Sequence, residues 1–559
     1  MSTCTTYMNA IQVQVTGTSY NNEGRAETMA GRARWWALTA VSLATLMSYL
    51  DNNVVNVALP TIERSLHLSV SGLEWIVSSY LLVLGGLLLV GGRIADVYGR
   101  RRVFLIGLVI FTLSSLVAGL AGSAGVLIAA RAVQGLGAAL VMPASLAIIA
   151  ATFTNARERT AAIGIWSAVG ALGLALGPAI GGLVSQHLHW GWIFLINVPL
   201  GAVTIAIALP FVAESHGRVT EDGAPAGRAH AMLDIPGLIT SALALFSLTY
   251  ALIEGGDRGW TSPLILGSFG VAAVAAAVFL AIESRSAHPM IPLSVFRSAA
   301  FSGGLGTMMI WSFGVLGIYF FTSLYLQSNL GFSPTKAGLA FVPMALCLAI
   351  AATLSPRVTA VIGAHRTVAL GMAIMTVGLV LFAGLGAGAT FNALLPGFVL
   401  FGLGAGLMNV PLANAVLGGA PTAQAGIASA LLNASREVAG LLGVTVIGAV
   451  LRSSESSSLR SGASQAQAFI DGYHSGLWLT ISLLAAGVVL SYLSLRPRRT
   501  GELTVDESLA GLAAMASDTA HGGAGVPLTA RASVPAPSPA ASRDSVHAAS
   551  RDIAPVDGH

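Results

Sequence analysis

Asp51 and Arg131 are ionisable residues that lie inside long apolar runs of the sequence. Asp51 belongs to LDNNVVNVALP (50–60), and a carboxylate in the lipid core costs on the order of 2.5–3.5 kcal/mol on insertion scales. We therefore expect Asp51 to face a watery cavity or a partner, where a carboxylate can take up and release a proton. The alternative is a structural carboxylate that caps neighbouring helices.

Arg131 lies in LIAARAVQGLGAA (127–139). An arginine keeps its charge at physiological pH, so it is a poor proton carrier. It is expected instead to pair with a carboxylate or to order water, and a fixed hydrogen bond to backbone carbonyls is the alternative.

A third pattern is the glycine-rich run GIWSAVGALGLALGPAIGG (164–182). Three of its glycines are four residues apart and share one helix face, so a neighbouring helix can pack closely there. The proline removes a backbone hydrogen bond and permits a bend. The run predicts a hinge or a packing seam, and its residues are Gly173, Gly177, Pro178, Gly181 and Gly182.

Other polar and aromatic residues are weaker candidates. Asp96 stands among arginines in GGRIADVYGRRR (91–102) and could form an ion pair in one conformation only. Arg436 and Glu437 are adjacent, so they are expected to point to different helix faces and not to pair. The candidates for a substrate cavity are Tyr80, Trp166, Trp311, Gln327, Asn409 and Asn433.

The composition requires a membrane around these residues. Of 559 residues, 55% are hydrophobic and 9% are charged, whereas soluble domains carry about 25% charged residues. The net charge of +4 is too small to indicate nucleic-acid binding. Cys4 and Cys347 offer no metal-binding spacing, and the polar first thirty residues do not form a signal peptide.

A membrane span needs about 20 apolar residues, and the sequence predicts an all-α protein with fourteen transmembrane helices. The predicted spans are 35–59, 74–93, 103–121, 124–150, 161–185, 192–213, 234–254, 264–283, 301–327, 336–361, 367–387, 394–419, 426–451 and 475–495. The polar stretch 452–474 is interpreted as the one sizeable external loop.

Orientation follows from the arginines, which are retained on the cytoplasmic side. With both termini cytoplasmic, few cations fall outside, namely Arg64, Arg258, Lys336, Arg452 and Arg460.

A weak repeat between 91–102 and 355–366 suggests two six-span halves. The predicted units are an N-terminal tail (1–34), a six-span bundle (35–213), a cytoplasmic linker (214–233), two additional spans (234–283), a cytoplasmic loop (284–300), a second bundle (301–495) and a disordered cytoplasmic tail (496–559).

These motifs together resemble the major facilitator superfamily, in its fourteen-span drug:proton antiporter branch, over residues 35–495. The resemblance implies two helical bundles that rock around a central cavity in a bacterial cytoplasmic membrane, as a functional monomer without a cofactor, driven by the proton gradient. It implies that Asp51 and Arg131 couple protons and that Gly177 with Pro178 forms the bend used in export. Asp96, Gly99 and Arg100 would form a conformational latch.

Two departures from the family pattern concern substrate range and the external rim. Asn53 stands where threonine is common, and Gly191 replaces an arginine often found between two tryptophans.

The predicted function is export of amphipathic drugs or antibiotics in exchange for protons. Export of a single endogenous metabolite, siderophore or lipid is the alternative, and the sequence does not separate the two. Import is disfavoured by the glycine and proline pattern of the fifth span. A membrane enzyme or sensor lacks support, because we find no catalytic constellation on a plausible frame, and no catalytic or metal-binding residue is expected.

Overall fold

The computed structural model is built from α-helices. It describes residues 2–216, 234–286, 291, 293–386, 388–421 and 425–496, and for 2–31, 156, 425 and 426 the backbone alone. The predicted linker (214–233) from residue 217 onward and the predicted tail (496–559) from residue 497 onward lie outside the described residues.

The first bundle contains six spans, the last of which is broken into two helices. Its helices are α1 (Ser2–Leu66), α2 (Val70–Tyr98), α3 (Arg100–Gly119), α4 (Ala124–Thr152), α5 (Ala156–His187), α6 (Trp192–Leu195) and α7 (Asn197–Phe211). Two further spans follow, α8 (Ile235–Arg258) and α9 (Pro263–Arg285).

The second bundle begins after a 3₁₀ helix at Leu293–Arg297, and its second span is also broken. Its helices are α10 (Ala299–Leu324), continued by a π-helical turn at Tyr325–Asn329, α11 (Pro334–Ala340), α12 (Val342–Ile362), α13 (Ala364–Ala383), α14 (Phe391–Gly418), α15 (Ala425–Arg460) and α16 (Gln465–Ser494).

The all-α membrane fold expected from the sequence is confirmed. Thirteen segments of the described chain are long and apolar enough to cross a membrane, and α1 supplies a fourteenth span. Polar residues such as Asp51, Asn52, Asn53 and Asn56 interrupt the apolar run of α1, which explains why that helix is less apolar than the other spans.

The expected external loop at 452–474 is wrong. Helix α15 continues to Arg460 and α16 begins at Gln465, so the connection is short. Arg452 lies within α15 and is only 8% exposed. Its hydrogen bonds inside the protein account for the extension of the helix.

Each bundle is assembled by close helix pairs. In the first bundle α1 packs on α5, and α4 packs on α2 and α3; in the second, α14 packs on α12 and α13, and α10 packs on α15. Helices α8 and α9 pack on each other, and α8 also contacts α2 and α15. Helix α8 therefore touches both bundles.

The fold has two membrane faces, a linker face and a loop face. The linker face carries the end of α7, the start of α8 and the end of α16. The loop face carries the turns between α1 and α2, between α3 and α4, and between α15 and α16.

Glycine is required where α3 meets α4. A Cβ atom built on Gly137 would lie 2.7 Å from the backbone nitrogen of Phe111 and 2.9 Å from the carbonyl oxygen of Gly107.

We expect Gly137→Val to destabilise the protein by about 1–3 kcal/mol through overpacking, measured as a lower midpoint of thermal unfolding in detergent. Gly164→Val is the matched control, because a Cβ there meets nothing within 4 Å; equal midpoints for the two variants would contradict this packing.

Candidate functional site

The centre of the first bundle holds a buried ion pair between Asp51 on α1 and Arg131 on α4. Both side chains have 0% exposure, and Nη1 of Arg131 lies 2.5 Å from Oδ2 of Asp51. The other carboxylate oxygen, Oδ1, accepts hydrogen bonds from Nε2 of Gln134 at 2.8 Å and from Nδ2 of Asn197 at 2.8 Å. Both oxygens of Asp51 are therefore paired.

Arg131 has further partners that hold its charge. Its Nε donates to the carbonyl oxygen of Ile76 on α2 at 3.2 Å, and its Nη1 also donates to Oε1 of Gln134 at 2.6 Å. The guanidinium lies over the Tyr80 ring, 4.3 Å from its centroid. A cation over an aromatic face gains on the order of 2 kcal/mol when desolvated. Tyr80, expected in the substrate cavity, thus lies beneath Arg131 and is 1% exposed.

Gln134 and Asn197 are the members of this site that the sequence analysis missed. Gln134 follows Arg131 by three residues on α4, so both side chains share one helix face. Its Nε2 also donates to Oγ of Ser115 on α3 at 2.7 Å. Asn197 begins α7 directly after the break in the sixth span. A polar amide within an apolar run was the available signal in both cases.

The glycine-rich run of α5 forms a packing seam against α1. Cβ atoms at Gly173, Gly177 and Gly181 would meet the backbone or Cβ of α1 at Leu46, Asn53 and Val54. These α1 residues flank Asp51, so the seam holds the segment that carries the carboxylate.

The end of the same run faces the second bundle. A Cβ at Gly182 would meet the carbonyl of Pro334, and a Cβ at Gly338 on α11 would meet the carbonyl of Pro178. Helix α5 continues through Pro178. The run therefore packs on both bundles at once, toward the loop face.

The predicted latch residues lie together at the linker face. Oδ1 of Asp96 accepts from Nε and Nη2 of Arg100 at 3.0 and 2.9 Å. Gly99 separates α2 from α3 with φ 104°, a conformation that favours glycine. Glu214 accepts hydrogen bonds from the backbone nitrogens of Arg101 and Arg102 at 3.0 and 3.2 Å, which ties the end of the first bundle to this turn.

Arg436 and Glu437 do form an ion pair, with 2.8 Å between Nη2 and Oε1, so the expectation that they would not pair is wrong. Adjacent helical side chains diverge at Cβ, but the long arginine side chain bends back to its neighbour. Nη2 of Arg436 also donates to the Tyr49 hydroxyl at 2.8 Å. This bond joins α15 to α1, two residues from Asp51.

The other cavity candidates lie on several different helices. Nε2 of Gln327 donates to the carbonyl of Val57 on α1 at 2.8 Å, and Nδ2 of Asn433 donates within α15 to the carbonyl of Ser429 at 2.9 Å. The indole nitrogens of Trp166 and Trp311 are buried and have no hydrogen-bond partner in the part of the chain that the structure describes. Asn409 is partly buried on α14.

Comparison with known proteins gives a consistent result. The model of the family described as Major Facilitator Superfamily matches residues 41–444. The chain is 36% identical over 420 residues to the multidrug resistance protein Stp of Mycobacterium tuberculosis, covering 75% of this chain and 76% of that protein. It is 33% identical over 433 residues to the tetracenomycin C resistance and export protein of Streptomyces glaucescens, covering 77% and 79%.

Among solved structures, the chain is similar to a bacterial homologue of the human lysosomal transporter Spinster in an inward-facing, unoccupied conformation. The TM-score is 0.60 at 16% identity, covering 83% of this chain and 97% of that one. This likeness supports the fold.

The two charges at the centre of the site should be energetically coupled. Removing one partner of a buried ion pair leaves an uncompensated charge and costs about 3–5 kcal/mol. We expect Asp51→Asn and Arg131→Met each to lower the midpoint of thermal unfolding, and the double variant to lose less than the sum of the two. Strict additivity would show that the pair does not form.

Proposed function

The chain belongs to the Major Facilitator Superfamily, and from that premise we propose that it is an antiporter that exports hydrophobic or amphipathic drugs in exchange for protons. The observation that carries the proposal is the fully buried Asp51, which lies against Arg131 and within reach of two amide donors. A carboxylate held in this way can exchange one proton without exposing a charge to lipid.

Protonation of Asp51 alters what holds α1 in place. The ionised carboxylate attracts the guanidinium of Arg131, whereas the neutral acid makes only ordinary hydrogen bonds. Arg131 then keeps the Ile76 carbonyl, Gln134 and the Tyr80 ring as partners. The proton therefore weakens the contact between α1 and α4 and leaves Arg131 in a stable site.

A movement of α1 would be transmitted to the second bundle through packed helices. The glycine seam couples α1 to α5, and α5 packs on α11 through Gly182 and Gly338. A shift of α1 thus changes how the two bundles meet at the loop face, which is the change that alternating access needs.

Basic side chains support the orientation. The linker face carries Arg100, Arg101 and Arg102 at the α2–α3 turn, and arginine is enriched on the cytoplasmic side. We therefore place the linker face and both termini in the bacterial cytoplasm. The bonds from Gln327 to Val57 and from Thr335 to Gln186 then close the cavity on its external side.

The middle of the fold offers groups suited to an amphipathic molecule. Trp166 and Trp311 supply large apolar surfaces, and their buried indole nitrogens have no partner among the described residues. Arg436 with Glu437 supplies both charges. Aromatic surfaces and a few polar groups are typical of small-molecule sites. The protein would act as a monomer surrounded by lipid, with the proton gradient in place of a cofactor.

The breadth of the cargo can be measured with a susceptibility panel. We expect expression in a sensitive bacterial host to protect it against several structurally unrelated amphipathic antibiotics, because aromatic surfaces bind by shape and apolar area. Asp51→Asn serves as the inactive control. Protection against one compound alone would instead indicate the dedicated exporter of a single endogenous compound.

The role of Asp51 is tested with a compound from that panel. In everted membrane vesicles with a pH gradient as sole driving force, we expect Asp51→Asn to abolish transport, because an amide cannot exchange a proton, and Arg131→Ala to abolish it as well. Glu63→Gln is the matched control, a partly exposed carboxylate on the same helix, and should transport normally. Transport by Asp51→Asn at the wild-type rate would refute proton coupling through this residue.

A further inference from the structure

A second buried ion pair joins the two bundles near the loop face. Glu74 on α2 contacts Nη1 of Arg452 on α15 through Oε1, and the side chains are 0% and 9% exposed. Glu74 lies four residues after the first residue of α2, which is about 6 Å along the helix axis. The pair is therefore close to external water but shielded from it in this conformation.

The two residues of this pair differ in the further hydrogen bonds that their side chains make. Nη2 of Arg452 donates to the carbonyl oxygens of Leu252 and Ile253 on α8, both at 3.1 Å. Oε2 of Glu74 is buried, and it has no hydrogen-bond partner among the described residues. If the pair separates, Nη2 of Arg452 keeps two acceptors, whereas Glu74 has no other hydrogen-bond partner among the described residues.

The surroundings of Glu74 contain three acidic and three basic groups. Helix α8 contributes Asp257, which accepts from Ser71 at 2.6 Å, and Glu254, which accepts from Trp75 at 3.0 Å and from Arg258 at 2.8 Å. On α15, Glu455 interacts electrostatically with Arg452. On α4, Arg131 bonds to the α2 backbone two residues beyond Glu74. The other charged groups near Glu74 are thus Glu254, Asp257, Arg258, Arg452, Glu455 and, deeper, Arg131.

We propose that Glu74 is a second proton-binding carboxylate of the transport cycle, and that its ion pair with Arg452 keeps the loop face closed until a proton neutralises it. This inference rests on the proposed function. The proton comes from external water and binds the unpaired Oε2, so the bond to Arg452 loses its ionic character. It returns to the same side when the pair re-forms, so the pair sets the pH range of opening and adds nothing to the transport stoichiometry.

Helix α8 gains a defined role in this scheme. Its two carbonyl oxygens accept hydrogen bonds from Nη2 of Arg452, so this part of the guanidinium keeps its partners while α2 moves away. Asp257 is exposed, so water can replace its bond to Ser71 when α2 leaves. The additional spans thus support the second bundle during opening.

The test measures the loop-face distance directly. Spin labels are placed at the exposed positions Ser123 and Ser461 by Ser123→Cys and Ser461→Cys, in a chain carrying Cys4→Ser and Cys347→Ala, and distances are recorded by pulsed electron paramagnetic resonance in lipid nanodiscs. As pH falls, we expect the ratio of closed to open molecules to decrease by up to about tenfold per pH unit, the limit for one proton. Glu74→Gln should be mostly open at every pH.

Two variants separate the proposal from a merely structural effect. Glu254→Gln changes a carboxylate of the same cluster that forms no ion pair or hydrogen bond with Arg452 among the described residues and should keep the wild-type pH response, as should Glu63→Gln, which changes a partly exposed carboxylate on α1. A wild-type chain without a pH response, a response retained in Glu74→Gln, or a response lost in either control would overturn the proposal. Failure of proton-driven efflux in the wild type would refute the antiport proposal alone, because the distance measurement needs no substrate.

Discussion

A charge in the lipid core has no water to stabilise it, and the buried pair of Asp51 and Arg131 is the constraint on which the first bundle depends. Three helices besides α1 supply its partners: Arg131 and Gln134 come from α4, Asn197 from α7, and the Ile76 carbonyl from α2. These helices must converge to within hydrogen-bond distance. The arrangement of these helices therefore follows from the need to give one buried carboxylate and one buried guanidinium their hydrogen-bond partners.

Close convergence in turn requires small residues. Membrane helices gain little from the hydrophobic effect when they meet, so tight backbone contact carries much of their association. The glycines of α5 allow this contact with α1, and Gly182 and Gly338 allow it between α5 and α11. One helix thus connects the segment of α1 that carries Asp51 with the contact between the two bundles toward the loop face. Bulkier side chains on this face of α5 would move α1 and α11 away from it and break this connection.

The sequence was sufficient to predict the spans, Asp51 and Arg131, because long apolar runs and the charges inside them are conspicuous. Gln134 and Asn197 were missed, because a neutral amide costs less to bury and stands out less. The sequence alone places Arg452 in a loop, since a polar neighbourhood after an apolar run indicates a helix end. Only tertiary structure reveals the acceptors on α2 and α8 that bury it. A local sequence pattern reveals a residue that is costly to bury. Its partners, which are distant in sequence, are revealed only by the fold.

The two buried ion pairs differ in a way that matters for movement. Asp51 and Arg131 belong to one bundle, and both carboxylate oxygens have donors, so a movement of one whole bundle against the other does not by itself separate the pair. Glu74 and Arg452 belong to different bundles, so rocking must break that pair. Breaking a buried pair costs about 3–5 kcal/mol when a charge is left without a partner. The α8 carbonyls remove this cost for Arg452, and a proton is the simplest means of removing it for Glu74.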